Sequence, residues 1–449
     1  MDDLPPPIGR EPIGGAPSAP DLSAPVRLDA LIPVLLARNP AIATARARLD
    51  AAAQRRPQVV ALPDPEVEAT WFARNAMAPD SSLTRWELML KQTFPMPQML
   101  SLRGDAADAG TKVAALRYEA AVRDAVATLD DLHAERRYLA AAEAVQARLH
   151  ATYVRYADVA RAGMNDGAAR LPESFRADAL AAQAEYDLRL LGEMRVVEDA
   201  KLRALLALPP GAAIGPPADA APVLVLDTPT EALVDRALAW NQELRAAGAE
   251  VEMATIDARM ARWEYAPMFM VGVGRMFNDD IVETSATGGG GHAAAKAGGM
   301  PSSERGRDST TLSFGMTLPI WRPKLEAGVR EADAKLRAMR AEEHGMRAML
   351  AADVAMAAFQ ARTTQRLADL YAKTLVPQAE LAMTAADARV RAGDESLASS
   401  LELAATWQQM SIARLRAETD HARAIAALER ILGTTATATA PDDAVEAPR

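Results

Sequence analysis

Five histidines, His133, His150, His292, His344 and His421, are the side chains best suited to metal ligation or acid–base work in this chain. None lies four residues from another, the spacing that sets two imidazoles on one helical face around a metal ion. There is no cysteine, which excludes thiolate ligands, disulfides, cysteine nucleophiles and a lipidated cysteine within this sequence. Among the 20 methionines, Met268 lies near Met270, and Met346 near Met349 and Met356. Thioethers are soft ligands for copper or silver, but methionine is chiefly a pliant filler of packing gaps, so no metal site is assigned. No glycine-rich loop with its lysine offers a phosphate cradle. No nucleophile–base or carboxylate pair stands out. The expectation is a protein with no cofactor and no catalysis.

Elements must therefore carry the function. The formal charge is −10, with both signs interspersed, so the basic footprint of a nucleic-acid binder is missing. Half of the residues are apolar and only 4% aromatic. Alanine recurs throughout, and it is the best helix former, so the fold class is mainly α. No stretch approaches the roughly 18 apolar residues of a membrane helix. Residues 1–27, rich in proline, glycine and acids, read as a disordered lead. They lack the charged-then-apolar layout of a signal peptide, so any export signal is expected outside this sequence.

The chain repeats itself. Leu31 to Pro40 has a counterpart in Leu233 to Gln242, with Asn39 on Asn241, Ile42 on Leu244 and Ala45 on Ala247. The same offset brings Pro65 onto Pro267. Phe94-Pro95-Met96-Pro97 resembles Leu318-Pro319-Ile320-Trp321, Arg161-Ala162-Gly163 recurs as Arg391-Ala392-Gly393, and Leu202–Leu206 recurs as Leu428–Leu432. Each half reads as short helix, helix, strand pair, long helix, turn, long helix. The expected organisation is a first repeat over 28–208, a connector over 209–229, a second repeat over 230–433 and a disordered tail over 434–449. Thr228-Pro229-Thr230-Glu231 reads as a helix start, with Thr228 capping and Glu231 completing a capping box.

Strand pairs are expected at about 65–95 and 267–320. Leu312, Phe314, Met316 and Leu318 alternate with Thr311, Ser313, Gly315 and Thr317, a period of two. Trp86, Leu88 and Leu90 alternate with Glu87, Met89 and Lys91, and Val67, Ala69 and Trp71 with Glu66, Glu68 and Thr70. Met268 to Met276 is weaker. Each run is about ten residues, near the ~9–11 that a tilted strand needs to cross hydrocarbon. A soluble sheet packed on helices would show the same alternation. The loop near Asn75 to Ser82 is short, whereas the second carries Gly288 to Gly291 and runs polar through Asp308. Trp71, Trp86, Trp263, Trp321 and Tyr265 gather at strand ends, where interfacial girdles sit.

Between these strands the helical patterns are long. Leu100 to about Ala162 stays helix-compatible, on the order of 90 Å at 1.5 Å per residue. Lys324 to Arg391 repeats it, with Pro377 expected to bend or interrupt it. Val329, Ala332, Leu336, Met339, Met346, Leu350, Val354 and Ala357 form a narrow stripe, as do Ile412, Leu415, Ala422, Ile425, Leu428 and Leu432. Such stripes suit a coiled-coil seam or a hollow helical barrel.

From Leu28 to Gly433 the sequence resembles the TolC-like outer-membrane efflux factors, closest to their heavy-metal-efflux branch of the CzcC and CusC type. The resemblance is carried by Leu36-Ala37-Arg38-Asn39-Pro40 and Leu62-Pro63-Asp64-Pro65. It continues in Gln92-Thr93-Phe94-Pro95-Met96-Pro97 with Arg103-Gly104, and in Leu375-Val376-Pro377-Gln378-Ala379. Arg389 to Gly393 and the closing Ala426 to Gly433 complete it. No single segment is specific; their order and spacing are.

The resemblance implies a homotrimer in the bacterial outer membrane. Each protomer would give four strands to a twelve-stranded β-barrel and its helices to a periplasmic α-helical barrel. Trp86, Leu88, Leu90, Leu312, Phe314 and Met316 would then face lipid. The partners implied are a periplasmic adaptor (membrane fusion protein) and an inner-membrane pump of the RND type. Arg161, Gly163, Val390, Arg391, Gly393 and Leu397 would form the adaptor-docking tip. Ser399 and Glu402 fall where members often carry a pair of pore-narrowing acids; here only Glu402 keeps the charge. The other reading of the residues is a soluble periplasmic coiled-coil scaffold, which requires strand faces covered by protein.

Overall fold

A computed structural model describes residues 22–72, 85–165, 171–218, 225–278, 308–392 and 397–435. In chain order the elements are α1 (Leu28–Arg38), α2 (Pro40–Ala53), α3 (Arg55–Val60), β1 (Glu66–Phe72) and β2 (Arg85–Phe94), followed by α4 (Pro97–Asn165) and α5 (Leu171–Leu205). The second half runs α6 (Thr230–Trp240), α7 (Gln242–Trp263), β3 (Phe269–Asn278), β4 (Ser309–Met316), α8 (Arg322–Leu370), α9 (Val376–Ala392) and α10 (Leu397–Leu432). The same series of elements thus occurs twice. The chain also divides into two compact units, and each draws on both halves of the sequence: residues up to 50, 112–248 and from 341 onward make one, and 51–111 with 249–340 the other.

The first unit is helical and holds three apolar clusters. One gathers Leu31 and Leu35 of α1, Leu129 of α4, Leu202 of α5 and Leu206 just beyond it, all without solvent exposure. A second gathers Leu233 and Ala237 of α6, Val354 and Ala358 of α8, and Leu428 and Leu432 of α10. These are the same positions of the two repeats. Asn39 breaks α1 from α2 because its Oδ1 accepts the Ala41 and Ile42 amides at 2.9 and 3.1 Å, capping α2. Its Nδ2 donates to the Leu205 carbonyl at 2.9 Å, closing the end of α5. Asn241 does the same for the second repeat: Oδ1 accepts the Leu244 amide at 2.8 Å, and Nδ2 donates to the Ile431 carbonyl at 2.8 Å. The offset seen in the sequence is therefore an offset of hydrogen bonds.

Two local expectations are corrected in this unit and a third, at Pro377, is refined. Helix α6 starts at Thr230, with Pro229 at the cap position and no side-chain capping bond. The Thr228 carbonyl and the Thr230 hydroxyl instead accept Arg362 of α8 at 2.6 and 2.8 Å, so this segment is held by a tertiary partner and not by a local cap. Pro377 interrupts the regular α-helix as expected, α8 stopping at Leu370 and α9 starting at Val376, but the helical run itself continues. The proline's missing N–H is accommodated by a π-helical turn, Tyr371–Leu375, in which the Val376 amide reaches the Tyr371 carbonyl. Ordered structure also begins before Leu28. Leu22 and Val26 are buried and bridge in parallel to Ile214 and Pro217 of the expected connector. The Gly215 amide bonds the Leu22 carbonyl at 2.6 Å.

The second unit carries a four-stranded antiparallel sheet in the order β1-β2-β3-β4. Its register sets Trp71 beside Trp86, Leu88 beside Ala69 and Arg275, Leu90 beside Val67 and Val273, and Phe314 beside Val271. Directly paired residues share a face, so the alternating apolar series of all four strands coincide. The opposite face holds Glu66, Glu68, Lys91, Gly272, Gly274, Thr311 and Ser313, and Lys91 pairs with Glu68 across the strands. A Cβ at Gly272 would stand 2.5 Å from the Ser313 hydroxyl, so a larger residue there would require that hydroxyl to turn away. β4 ends at Met316, short of Leu318, because Pro319 lacks a ladder donor and restricts the residue before it. The two expected hairpin loops, with His292 and the Gly288–Gly291 run, lie outside the described residues.

Candidate functional site

The apolar face of the sheet is bare. Trp86, Leu88, Leu90, Leu312, Phe314 and Met316 are all exposed, Phe314 at 75%, and so are Val67, Trp71, Val271, Val273 and Phe277. In water this arrangement would be costly, since fully burying each such side chain is worth about 1.5–3 kcal/mol. Eleven large apolar side chains exposed on one contiguous sheet face form the kind of patch that marks an interaction surface and not ordinary scattered exposure. A soluble scaffold, which needs these faces covered by its own chain, is not what the described residues form. Strands β1 and β4 are the sheet's edges, so each presents a row of backbone groups with no strand beside it among the described residues. No single helix among the described residues is long and apolar enough to cross a membrane.

In the helical unit, the ends of α4 and α9 and the starts of α5 and α10 share one core. Tyr153, Tyr156 and Ala160 of α4 meet Ala177 of α5, Met383 and Val390 of α9, and Leu397, Leu401 and Trp407 of α10. Arg148 stacks over Trp407 at 4.5 Å, and burial raises the Tyr153 phenol pKa. Val390 and Leu397 are therefore interior residues, not docking surface. They are apolar and bracket a helix reversal, where inward packing fixes the two arms. Arg161 is exposed and joins α4 to α5, with Asp158 at 2.6 Å and Asp178 at 2.5 Å. Gly163 is helical rather than a turn residue, because α4 runs on to Asn165. One glycine costs only about 1 kcal/mol in such a helix. The Arg391 side chain and Gly393 lie outside what the structure describes.

Glu402 is exposed on α10, and Ser399, half-exposed, precedes it by one turn on the same side of that helix. No group of three or more histidine or acidic side chains with metal-site geometry occurs among the described residues.

Two exposed stripes escaped the sequence reading. On α5, Phe175, Tyr186, Leu190, Met194 and Val197 are exposed along one side. On α8, Met349, Met356, Phe359, Leu367 and Leu370 do the same, and Leu381 of α9 is exposed too. Their spacings of three, four, seven, eight and eleven residues were legible. The stripe through Leu350 and Val354 masked the second, because that stripe alone meets the expected seam.

A sequence model of the family described as outer membrane efflux protein matches residues 31–208 and 233–434, the two repeats in turn. The chain belongs to the outer membrane efflux protein family. As an outer membrane efflux protein it is similar in fold to solved channels. VceC, an outer membrane protein of Vibrio cholerae, is 17% identical over 91% of this chain and 96% of its own, with a TM-score of 0.72. The MtrE outer membrane channel of Neisseria gonorrhoeae, in its open state, is 18% identical over 91% and 89%, with a TM-score of 0.73. CusC, studied for its transmembrane channel formation, is 12% identical over 92% and 93%, with a TM-score of 0.74. No curated protein matches by sequence. Family and fold are those of channel proteins.

Proposed function

We propose that this outer membrane efflux protein works as a homotrimeric exit duct. It passes small solutes or metal ions that an inner-membrane pump, of the RND type, delivers through a periplasmic adaptor. One observation carries the reading: a sheet with a single apolar face, bare, and two open edges. Lipid would cover the face, and a neighbouring copy would cover each edge, since hydrocarbon tolerates no open sheet edge. Three copies would close twelve strands. The α5 and α8 stripes support the same assembly. They are different surfaces, so pairing one with the other is head-to-tail, the kind of contact that closes a ring. Energy would come from the pump, so this chain needs only a path.

In that ring, three Glu402 side chains would favour cations and repel one another at close approach. Ser399 adds no charge, so the constriction is weaker than a doubled acidic ring. The adaptor would meet the helix reversals around Arg161 and Gly163 and around Arg391 and Gly393, with Val390 and Leu397 supporting them from inside. The test is Phe314→Arg, which should lose roughly 2–4 kcal/mol of insertion stability near the bilayer midplane. Cross-linking in membranes should show trimer in the parent and little in the variant. Equal trimer and equal efflux in the variant would refute the barrel. Arg161→Glu, by contrast, should leave trimer intact and weaken adaptor cross-linking.

A further inference from the structure

A cleft between α7 and α8, in the sheet-bearing unit, concentrates arginine. Arg259 and Arg262 stand one turn apart on α7, and Arg337 and Arg340 one turn apart on α8. All four line the same space of about 390 Å³. One acid lines it with them, Asp333, and Arg262 occupies that carboxylate at 3.1 Å. Arg259, Arg337 and Arg340 make no ion pair among the described residues. Acids on the same two helices are engaged elsewhere: Glu331 pairs with Lys335 at 2.6 Å and Glu343 with Arg347 at 3.1 Å, and Asp257 lies in the field of Lys335. Three guanidinium charges therefore share one cleft without compensation from the protein.

We infer that this cleft binds a phosphate-bearing anion. Guanidinium groups stay charged at any relevant pH, and their planar forks match phosphate oxygens two at a time. A phosphoryl group offers three strong acceptor oxygens and close to two negative charges. It can thus engage arginines from both helices at once, whereas a carboxylate has two oxygens and one charge to divide among three. The Leu336 side chain on the cleft wall offers no competing polar group. Free phosphate compounds and lipids that end in a phosphomonoester share this chemistry. The inference stands whether or not the sheet closes into a barrel, because α7 and α8 supply every residue.

The probes are inorganic pyrophosphate and soluble dihexanoyl-phosphatidic acid, titrated calorimetrically into the detergent-solubilised full chain at low and moderate salt. Pyrophosphate should bind once per chain and weaken as salt rises. Arg337→Gln with Arg340→Gln should lower its affinity about tenfold or more. Arg330→Gln, on α8 but outside the cleft, should change nothing, and lysine at 337 and 340 should restore part of the loss. Binding of pyrophosphate alone marks a free phosphate compound as the ligand. Arginine-dependent binding of the short-chain lipid marks a headgroup. No binding of either probe by the parent, or equal binding by the folded double glutamine variant, would overturn the inference.

Discussion

The Asn39 and Asn241 junctions use the same polar bonds and different apolar fillings. Each asparagine caps the helix that follows and fastens the end of the returning helix. Leu35 in the first junction stands where Ala237 stands in the second, and Leu129 where Val354 stands, the same distance into α4 and α8. The first junction also has a strap with no counterpart among the described residues of the second. Its Leu22 and Val26 lie under Ile214 and Pro217, and the buried Arg136 bonds Asp199 and the Gly215 carbonyl, both at 2.7 Å. The lesson is about freedom. A backbone carbonyl at a helix end needs a donor in one place, whereas apolar volume can be redistributed among neighbours as long as the total is filled.

Removing the strap should separate the junctions most. Arg136→Leu leaves Asp199 and a buried carbonyl unpaired, a loss of about 3–5 kcal/mol for a broken buried pair. Hydrogen exchange should quicken in α1 and α5, while α6 keeps its parental protection. Uniform loss in both would make the junctions one cooperative body. Next come Asn39→Ala and Asn241→Ala, each expected to cost about 2–3 kcal/mol from a lost cap and an orphaned carbonyl. Denaturant midpoints of the two variants should agree closely. A marked difference would show that equal geometry conceals unequal energetics.

A smaller asymmetry concerns pH. Asp130 follows Leu129 in the first junction, where alanine (Ala355) follows Val354 in the second. Burial, with Glu429 adding to it against Arg137, pushes the Asp130 pKa up from 3.8 to about 6. A carboxyl raised in the folded state supports folding fully below its unfolded pKa and loses that support as pH rises through 6. Asp130→Asn should therefore gain about 1 kcal/mol at pH 8, allowing for solvent screening, and nothing at pH 4. Thermal unfolding at the two pH values checks this, and a pH-independent gain would assign the effect to packing.

The smallest effects have opposite signs. Gly433 follows α10 with φ +75°, and a Cβ there would lie 2.4 Å from the Trp240 carbonyl oxygen. Ala207 holds the matching place after α5 with φ +48°. Gly433→Ala should cost about 1 kcal/mol or more, and Ala207→Gly should gain a few tenths, since left-handed backbone strains any residue with a Cβ. Melting temperatures moving in the same direction would mean that the two C-terminal caps are not equivalent.

Much of this was legible before any coordinates. The strand alternation gave Trp86, Leu88, Leu90, Leu312, Phe314 and Met316 to one side of their strands, because side chains in a strand can only alternate. The spacing of Asn39 and Asn241 announced two like junctions, because helix capping is local chemistry. Periodicity says which residues share a face, however, and not what lies against it. Tertiary packing alone decided that Leu350 and Val354 are covered while Met356 and Phe359 on the same helix are open. It turned Val390 and Leu397 inward and gave the Thr228 carbonyl and the Thr230 hydroxyl to Arg362. Each of these depends on a partner far away in sequence. A local pattern holds no record of such a partner, so only the folded chain could supply it.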